Sequence, residues 1–239
     1  MRRFGWMVCA GVFALAGAAA EAQQASFLVS QHGNQVGTAE SKVAAAKGGY
    51  ETTSIVRVQM QGLEYSLSKT EELTQANELK HVDLSASVNG TAVHIIAKPD
   101  ATQLLMNTSA NGRSTTTRLE AHAAAVMLPD FDPGALETLL ALAVTHNNRD
   151  LWVVIPKQAG SVAAVTLATY ADEKGTLDGK EIVVHHLVAT IAGEKTELFS
   201  GPENQLLQAE LPQEGFALVR KGFVLTPPAR AGAAGSGGR

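Results

Sequence analysis

The chain has 239 residues, a formal net charge of −4 and a single cysteine, Cys9. A mildly acidic chain without a lysine and arginine cluster lacks the electrostatic footprint of nucleic-acid binding. One cysteine excludes an internal disulfide framework and a multi-thiolate zinc site, while the length is sufficient for a domain with its own hydrophobic core.

The first 22 residues have the layout of a cleavable secretory signal. Arg2 and Arg3 form a positive end, an apolar stretch follows from Trp6, and Ala20-Glu21-Ala22 fits a small-x-small cleavage site. The apolar stretch is shorter than the roughly 20 residues that a membrane-spanning helix needs. We therefore predict cleavage after Ala22 and an exported protein, periplasmic or extracellular, that does not span a membrane after cleavage.

Beyond residue 25, apolar and polar residues alternate with a period of two, which is typical of strands with one buried face. The alternation is clearest over residues 56–60, 63–68 and 82–88. Further strands are predicted at residues 27–31, 36–43, 91–97, 113–119, 151–155, 162–170, 180–191, 197–199, 205–210 and 216–220. Because Asn-Gly and Asp-Gly pairs precede three of these segments, as in tight hairpins, the sequence predicts an antiparallel meander.

One segment has helical spacing instead, with Leu136, Leu139, Leu140 and Val144 forming an apolar stripe. Asp132-Pro133 supplies a cap followed by a first-turn proline. We predict an amphipathic helix at about residues 133–147.

Together these elements predict a mainly β fold of one domain. About a dozen strands and one helix indicate a strongly curved antiparallel sheet, or incomplete barrel, with the helix packed on the concave face. The domain is expected to cover residues 23–225. The tail, residues 226–239, is rich in proline, glycine and alanine and is predicted to be disordered.

No constellation of side chains predicts catalysis or metal binding. The adjacent pair His185-His186 would point to opposite faces of a strand and could not ligate one metal. Its apolar neighbours favour a structural role in a strand buried on two sides. Asp130 and Asp132 are interpreted as capping residues, and the pair Glu71-Glu72 as a solvated turn after a strand. We predict no catalytic residue, no metal and no cofactor.

The order of parts resembles exported half-barrel proteins. It begins with an opening hairpin, Phe27-x-Val29-x3-Gly33-x2-Val36-Gly37, and continues with a long meander, a helix led by Asp and Pro, and closing strands. In this pattern the chain is similar to the periplasmic lipoprotein carriers LolA and LolB and to uncharacterised secreted families of like design. The resemblance implies a sheet curved around a helix, an apolar cavity and no catalysis.

Three hypotheses for function follow. The first is a non-catalytic carrier that binds an apolar or lipid-like ligand on the concave face, and the second is an envelope scaffold that engages a protein partner through a sheet edge. The third is an enzyme of unknown type. Whether the concave face is a cavity or a solid core stays open. The candidate lining residues are Val56, Val58, Met60, Tyr65, Val82, Leu84, Leu136 and Leu140.

Overall fold

The computed structural model describes residues 22–157 and 160–227, so most of the predicted signal segment and the tail from residue 228 lie outside the described residues. The described residues contain one helix, α1 (Pro133–Thr145), and 17 strands. The strands are β1 (Gln23–Gln31), β2 (Asn34–Ala46), β3 (Gly49–Met60), β4 (Leu63–Thr74), β5 (Leu79–Val88), β6 (Thr91–Asp100), β7 (Gln103–Ala110), β8 (Arg113–Glu120), β9 (Ala125–Met127), β10 (Leu151–Ile155), β11 (Ser161–Thr169), β12 (Glu173–Leu177), β13 (Lys180–Ile191), β14 (Glu194–Ser200), β15 (Leu206–Leu211), β16 (Phe216–Arg220) and β17 (Phe223–Leu225).

The strands form one large curved sheet of mainly antiparallel pairs. From β1 to β8 each strand pairs with the next, and β1 also pairs with β16. From β16 the sheet continues through β15, β14, β13, β11 and β10 to β9. Near its two ends the sheet curls back, because β8 comes close to β11 and β9 comes close to β5. The predicted mainly β, curved fold is confirmed.

The alternation defines the inside of this barrel-like sheet. On β3, Val56 and Val58 are buried while Arg57 and Gln59 are exposed, and the same rule places Leu67 of β4 inside. One hydrophobic core joins inward side chains of β1 to β7 with those of α1, β9, β10 and the closing strands.

The helix lies inside the curved sheet. It contacts β2 and β3 on one side and β9, β10 and β15 on the others. Most of its circumference is therefore buried, and the predicted amphipathic stripe is only partly right. Leu136, Leu139 and Leu140 are buried, whereas Val144 is 58% exposed because the last turn emerges at one end of the barrel.

One pair of strands departs from the predicted antiparallel order. β9 and β10 are parallel, with Val126 opposite Val153. Helix α1 connects them, and such a crossover brings a strand back in the same direction. The strands β7, β9, β12 and β17 were not predicted. β9 and β17 have only three residues each, and β7 and β12 do not alternate clearly, since Leu104, Leu105 and Met106 are adjacent in β7 and β12 begins with four residues that are not strongly apolar.

A small outer ribbon covers part of the convex face. β12 pairs with both β13 and β17, and the ribbon encloses a second apolar cluster. This cluster consists of Val184, Phe199, Leu207 and Phe223. The sheet is therefore covered on both faces only around β13 to β16.

The burial of α1 leads to a first prediction. Leu140 is 3% exposed, so Leu140→Ala should lower the free energy of unfolding by about 2–5 kcal/mol through lost contacts and a cavity. Val144→Ala on the same helix is the matched control and should change it by less than about 0.5 kcal/mol. Urea denaturation measures both. Equal effects of the two substitutions would contradict the packing of α1 inside the barrel.

Candidate functional site

Three charged side chains are fully buried where α1 meets the sheet. Lys69 and Glu71 point inward from β4, and Asp132 precedes the helix. The Lys69 Nζ atom lies 2.7 Å from Asp132 Oδ2, 3.2 Å from Glu71 Oε2 and 3.2 Å from the carbonyl oxygen of Met127. These three acceptors match the three N–H donors of an ammonium group. We call Lys69, Glu71 and Asp132 the buried triad.

Asp132 has two roles in this arrangement. Its Oδ1 accepts a hydrogen bond of 3.1 Å from the backbone N–H of Ala135, which caps α1 as predicted. Its Oδ2 faces Lys69 as an ion pair rather than as a well-aligned hydrogen bond. One carboxylate therefore ends the helix and fixes it to β4.

Neighbouring strands continue the polar surface around the triad. Ser41, Ser54 and Lys69 stand side by side on β2, β3 and β4, and Thr52 donates a hydrogen bond of 3.3 Å to Glu71 Oε2. A Cβ atom at Gly134 would overlap Ser54 Oγ, so glycine lets the first helical turn approach β3. The Ser54 hydroxyl is buried and has no hydrogen-bond partner among the described residues.

Burial and the neighbouring charges shift the pKa values of Lys69 and Glu71 in the triad. Burial alone would lower the pKa of Lys69, but Asp132 and Glu71 outweigh it and raise that pKa, so the amine stays charged. Burial and the charge of Asp132 raise the pKa of Glu71 against the opposing effect of Lys69. The raised pKa of Glu71 reflects the cost of burying a second carboxyl group beside a single ammonium group.

A separate pocket opens at the barrel end next to the start of α1. It has a volume of about 290 Å³ and is lined by apolar side chains of the 128–136 segment and of β10, β13, β15 and β16. We call it the mouth pocket; its apolar lining consists of Leu128, Pro129, Phe131, Leu136, Ile155, Ile191, Ala192, Leu211 and Leu218. The charged and polar residues around it are Asp130, Asp132, Lys157, Glu194, Thr196 and Glu214.

Phe131 occupies an unusual position in this pocket. Its φ of +56° lies in the left-handed region, which a bulky side chain rarely adopts. Its ring packs edge-on against Tyr65, at 6.0 Å between ring centroids, and against Phe216, at 4.9 Å. The Tyr65 hydroxyl donates a 3.3 Å hydrogen bond to the carbonyl oxygen of Asp130. Backbone strain persists where surrounding contacts hold it, and such positions are concentrated at binding sites.

Lys157 stands among carboxylates at the pocket rim. Its Nζ atom lies 2.8 Å from Asp130 Oδ1. Partial burial would lower the pKa of Lys157, but Asp130, Glu214 and Glu194 raise it. Within residues 22–157 and 160–227, Glu194 and Glu214 form no ion pair of their own, so the rim has more negative than positive charge.

The predicted lining residues divide between the solid core and the pocket. Val56, Val58, Val82, Leu84 and Leu140 are buried in the continuous core, and Met60 is half-buried on the same inward face. Tyr65 supports Phe131, and Leu136 lies directly on the pocket. Of the eight, the structure thus places Leu136 in the lining of the mouth pocket and Tyr65 behind Phe131 in its wall.

Sequence reasoning missed the buried triad and the rim. The interpretation of Glu71 as a solvated turn residue is wrong. Strand β4 continues to Thr74, and Glu71 is buried in it beside Lys69. The sequence does contain evidence for this position, because the period-two alternation of β4 places Lys69 and Glu71 on the same inward face as Leu67 and Leu73. Asp130 pairs with Lys157 instead of capping the helix.

The adjacent histidines lie outside the barrel and apart from the mouth pocket. His185 Nδ1 is 2.9 Å from Asp172 Oδ1. His186 stacks on Phe199 with 4.6 Å between centroids, and its Nδ1 lies 3.2 Å from Glu173. The prediction that the strand is buried on two sides here is only partly right: Val184 is fully buried in the second apolar cluster, whereas Val183 on the other face is 49% exposed.

A second pocket, of about 320 Å³, lies at the exposed end of α1 and contains Glu137 and Glu203. Burial raises the pKa of Glu137 from 4.5 to about 7, against the opposing influence of Ser41 and Arg220. Its walls include threonine and asparagine side chains as well as Val144, so it is more polar than the mouth pocket.

Two further structural features bear on function. Across residues 22–157 and 160–227, no three histidine, cysteine, aspartate or glutamate side chains come together as metal ligands. In the same part of the chain, α1 has 13 residues, and no helix reaches the length and apolar character of a membrane span.

Comparison with known proteins supports the fold and leaves the activity open. No protein-family model and no curated protein matches the chain. The chain is similar to a crystal structure from Brucella abortus described as a β-barrel-like protein of the domain of unknown function DUF1849. The TM-score is 0.53 with 10% sequence identity, over 85% of this chain and 97% of that one. At this identity the likeness shows a barrel-like fold.

The buried triad gives a second prediction. Lys69→Met leaves two acidic groups in the core without a cation and should cost about 3–5 kcal/mol of unfolding free energy. The triple variant Lys69→Met, Glu71→Leu, Asp132→Ser removes all three charges and keeps a serine cap, so it should recover most of that loss. Exposed Lys80→Met is the control. A triple variant as unstable as Lys69→Met would contradict this account of the triad.

Glu137 gives a third prediction, on pH. Because its pKa is higher in the folded state, its contribution to stability is fully present below pH 4.5 and is lost as the pH rises through about 7. Between pH 5 and 7, wild type should therefore lose about 1–2 kcal/mol of unfolding free energy relative to Glu137→Gln, a value reduced for partial solvent screening. Glu203→Gln removes an exposed carboxylate from the same pocket and should keep the pH dependence of the wild type. A pH dependence as weak as that of Glu137→Gln would argue against Glu137.

Proposed function

We propose that this protein is an exported, non-catalytic binding protein that takes the apolar part of a small or lipid-like ligand into the mouth pocket. The observation that carries the proposal is the pocket itself, an apolar recess with a few charged groups at its rim and a strained aromatic residue in its wall. Ligand sites commonly combine an apolar lining with few polar groups in this way. The pocket volume of about 290 Å³ suits one short chain or one ring system rather than a whole lipid.

The length of the helix explains why a pocket remains at this end. The 13 residues of α1 span about 20 Å. Strands of 12 residues such as β3 and β4 are about 40 Å long, and at a barrel tilt of roughly 40° they give a height of about 30 Å. The helix is therefore shorter than the barrel is high. Because the last turn of α1 emerges at the opposite end, the part of the interior that the helix does not fill lies beside Asp132, where the mouth pocket is found.

The interior polar groups favour binding over catalysis. Lys69 is charged and its three donors face acceptors, so it is poorly suited to act as a base toward Ser54. Both residues are also sealed under α1, away from solvent. The sequence pattern similar to that of LolA and LolB implies a carrier role, and the signal-like N-terminus predicts export.

A second candidate function is a scaffold that pairs with a partner strand. β8 ends the sheet, and its side chains are mostly exposed. Its eight residues contain three threonines and no proline, so the backbone of its outer edge could accept an added strand. This hypothesis gains weight if well-folded protein fails to bind apolar probes.

The fourth prediction tests the mouth pocket with a neutral fluorescent probe, N-phenyl-1-naphthylamine. Wild-type protein should bind it saturably, and dodecanol should displace it. Ile155→Trp fills the pocket and should weaken binding at least about tenfold, a loss of about 1.4 kcal/mol. Val224→Trp, at a site 63% exposed on the outer ribbon, should bind as wild type does. Unchanged binding by Ile155→Trp would exclude the mouth pocket as the site.

The fifth prediction concerns export. Expressed in a bacterium with its first 22 residues, the protein should be recovered from the periplasm with Gln23 at its N-terminus. Terminal sequencing and cell fractionation decide this. An Ala22→Glu variant should block processing, because the cleavage site needs small residues. Recovery of the wild-type chain from the cytoplasm with Met1 retained would refute export.

A further inference from the structure

We propose that the ligand of the mouth pocket is a cationic amphiphile, a single alkyl chain that ends in an ammonium group. This inference rests on the proposed function and adds the charge of the ligand to it. It is carried by the position of the rim charges relative to the apolar recess.

The recess determines the apolar half of the ligand. Leu128, Leu136, Ile155 and Leu218 line it, so a buried polar head would lose its hydration without gaining a partner. The head of an amphiphile must therefore stay at the rim, where side chains remain exposed.

The rim determines the charge of that head. Asp130 and Lys157 neutralise each other at 2.8 Å. Glu194 and Glu214 both lie on the pocket and are exposed, and within residues 22–157 and 160–227 neither forms an ion pair. They come from different turns, Glu194 after the β13–β14 turn and Glu214 between β15 and β16. An ammonium head at this rim meets two carboxylates in addition to the Asp130–Lys157 pair, whereas a carboxylate head meets two like charges.

The start of the helix does not reverse this preference. A free helix N-terminus attracts anions through its unpaired N–H groups. Here Asp132 already caps α1 and Lys69 is already paired with Asp132, so neither offers a free positive charge to an anionic head.

Competition at the probe site tests the inference. N-phenyl-1-naphthylamine bound to the purified protein is displaced at pH 7 and low salt by dodecylammonium, dodecanol or dodecanoate, each below its micelle concentration. The expected order of affinity is ammonium, then alcohol, then carboxylate, with dodecylammonium at least about fivefold tighter than dodecanol. Added salt at 0.5 M should reduce the difference between them, because the rim is exposed to solvent.

A matched pair of double variants locates the effect. Glu194→Gln with Glu214→Gln should remove the preference for ammonium and leave the dodecanol affinity unchanged. Glu40→Gln with Glu51→Gln removes the same charge from exposed positions on β2 and β3 and should keep the preference. Thermal melts confirm that both variants are folded.

The outcomes separate this inference from the function on which it rests. Equal affinities for the three competitors, or tighter binding of dodecanoate, overturn the charge inference while the binding function stands. Loss of the preference in Glu40→Gln with Glu51→Gln shows a general charge effect and also overturns it. If neither the probe nor any competitor binds, the proposed function itself fails.

Discussion

One buried carboxylate, Asp132, links the start of α1 to the sheet. Asp132 caps α1 with one oxygen and pairs with Lys69 of β4 through the other, at 2.7 Å. The cap determines the residue at which α1 begins. The ion pair fixes this end of the helix against β4, and so determines the position of α1 along the inner face of the sheet. Burying these charges is expensive in hydration, and the arrangement is tolerable because the carbonyl of Met127 and the carboxyl of Glu71 complete the shell of the ammonium group. The polar contact therefore adds a directional constraint to the apolar packing of α1.

The position of α1 in turn separates the interior into two regions. Where the helix runs, the inward side chains form a solid core, and Val56, Val82 and Leu140 are part of it. Where the helix has not yet begun, the same curved sheet has nothing to fill its centre, and the 128–132 segment forms the floor of the mouth pocket instead. A cavity and a core are therefore both present in one barrel, at different heights.

Much of the fold could be predicted from residue order, because alternation and Asn-Gly or Asp-Gly turns are local signals. The bounds of β10, β13 and β16 follow from them directly. The triad is harder to predict, because lysine and glutamate are usually surface residues. Only the alternation of β4, which puts Lys69 and Glu71 on the same face as Leu67 and Leu73, indicates that they are buried.

The charged residues at the rim of the mouth pocket have no such local signal. Lys157, Glu194 and Glu214 come from three separate turns, and their proximity is a product of the tertiary fold. Charge preference at the pocket is for that reason a property of the folded protein rather than of any motif.

The pairing of β1 with β16 has a consequence for how the protein reaches this structure. Phe27 stands opposite Arg220, so the first strand of the domain is completed by one of the last. Hairpins such as β3 and β4 can form from neighbouring residues, but this junction requires the ends of the domain to meet across nearly its entire length, which is the slowest kind of contact to make. Until β16 has been synthesised, one edge of β1 has no partner. Synthesis runs from β1 to β17, so the two halves of the sheet can join at β1 only when a strand made near the end of the chain is available.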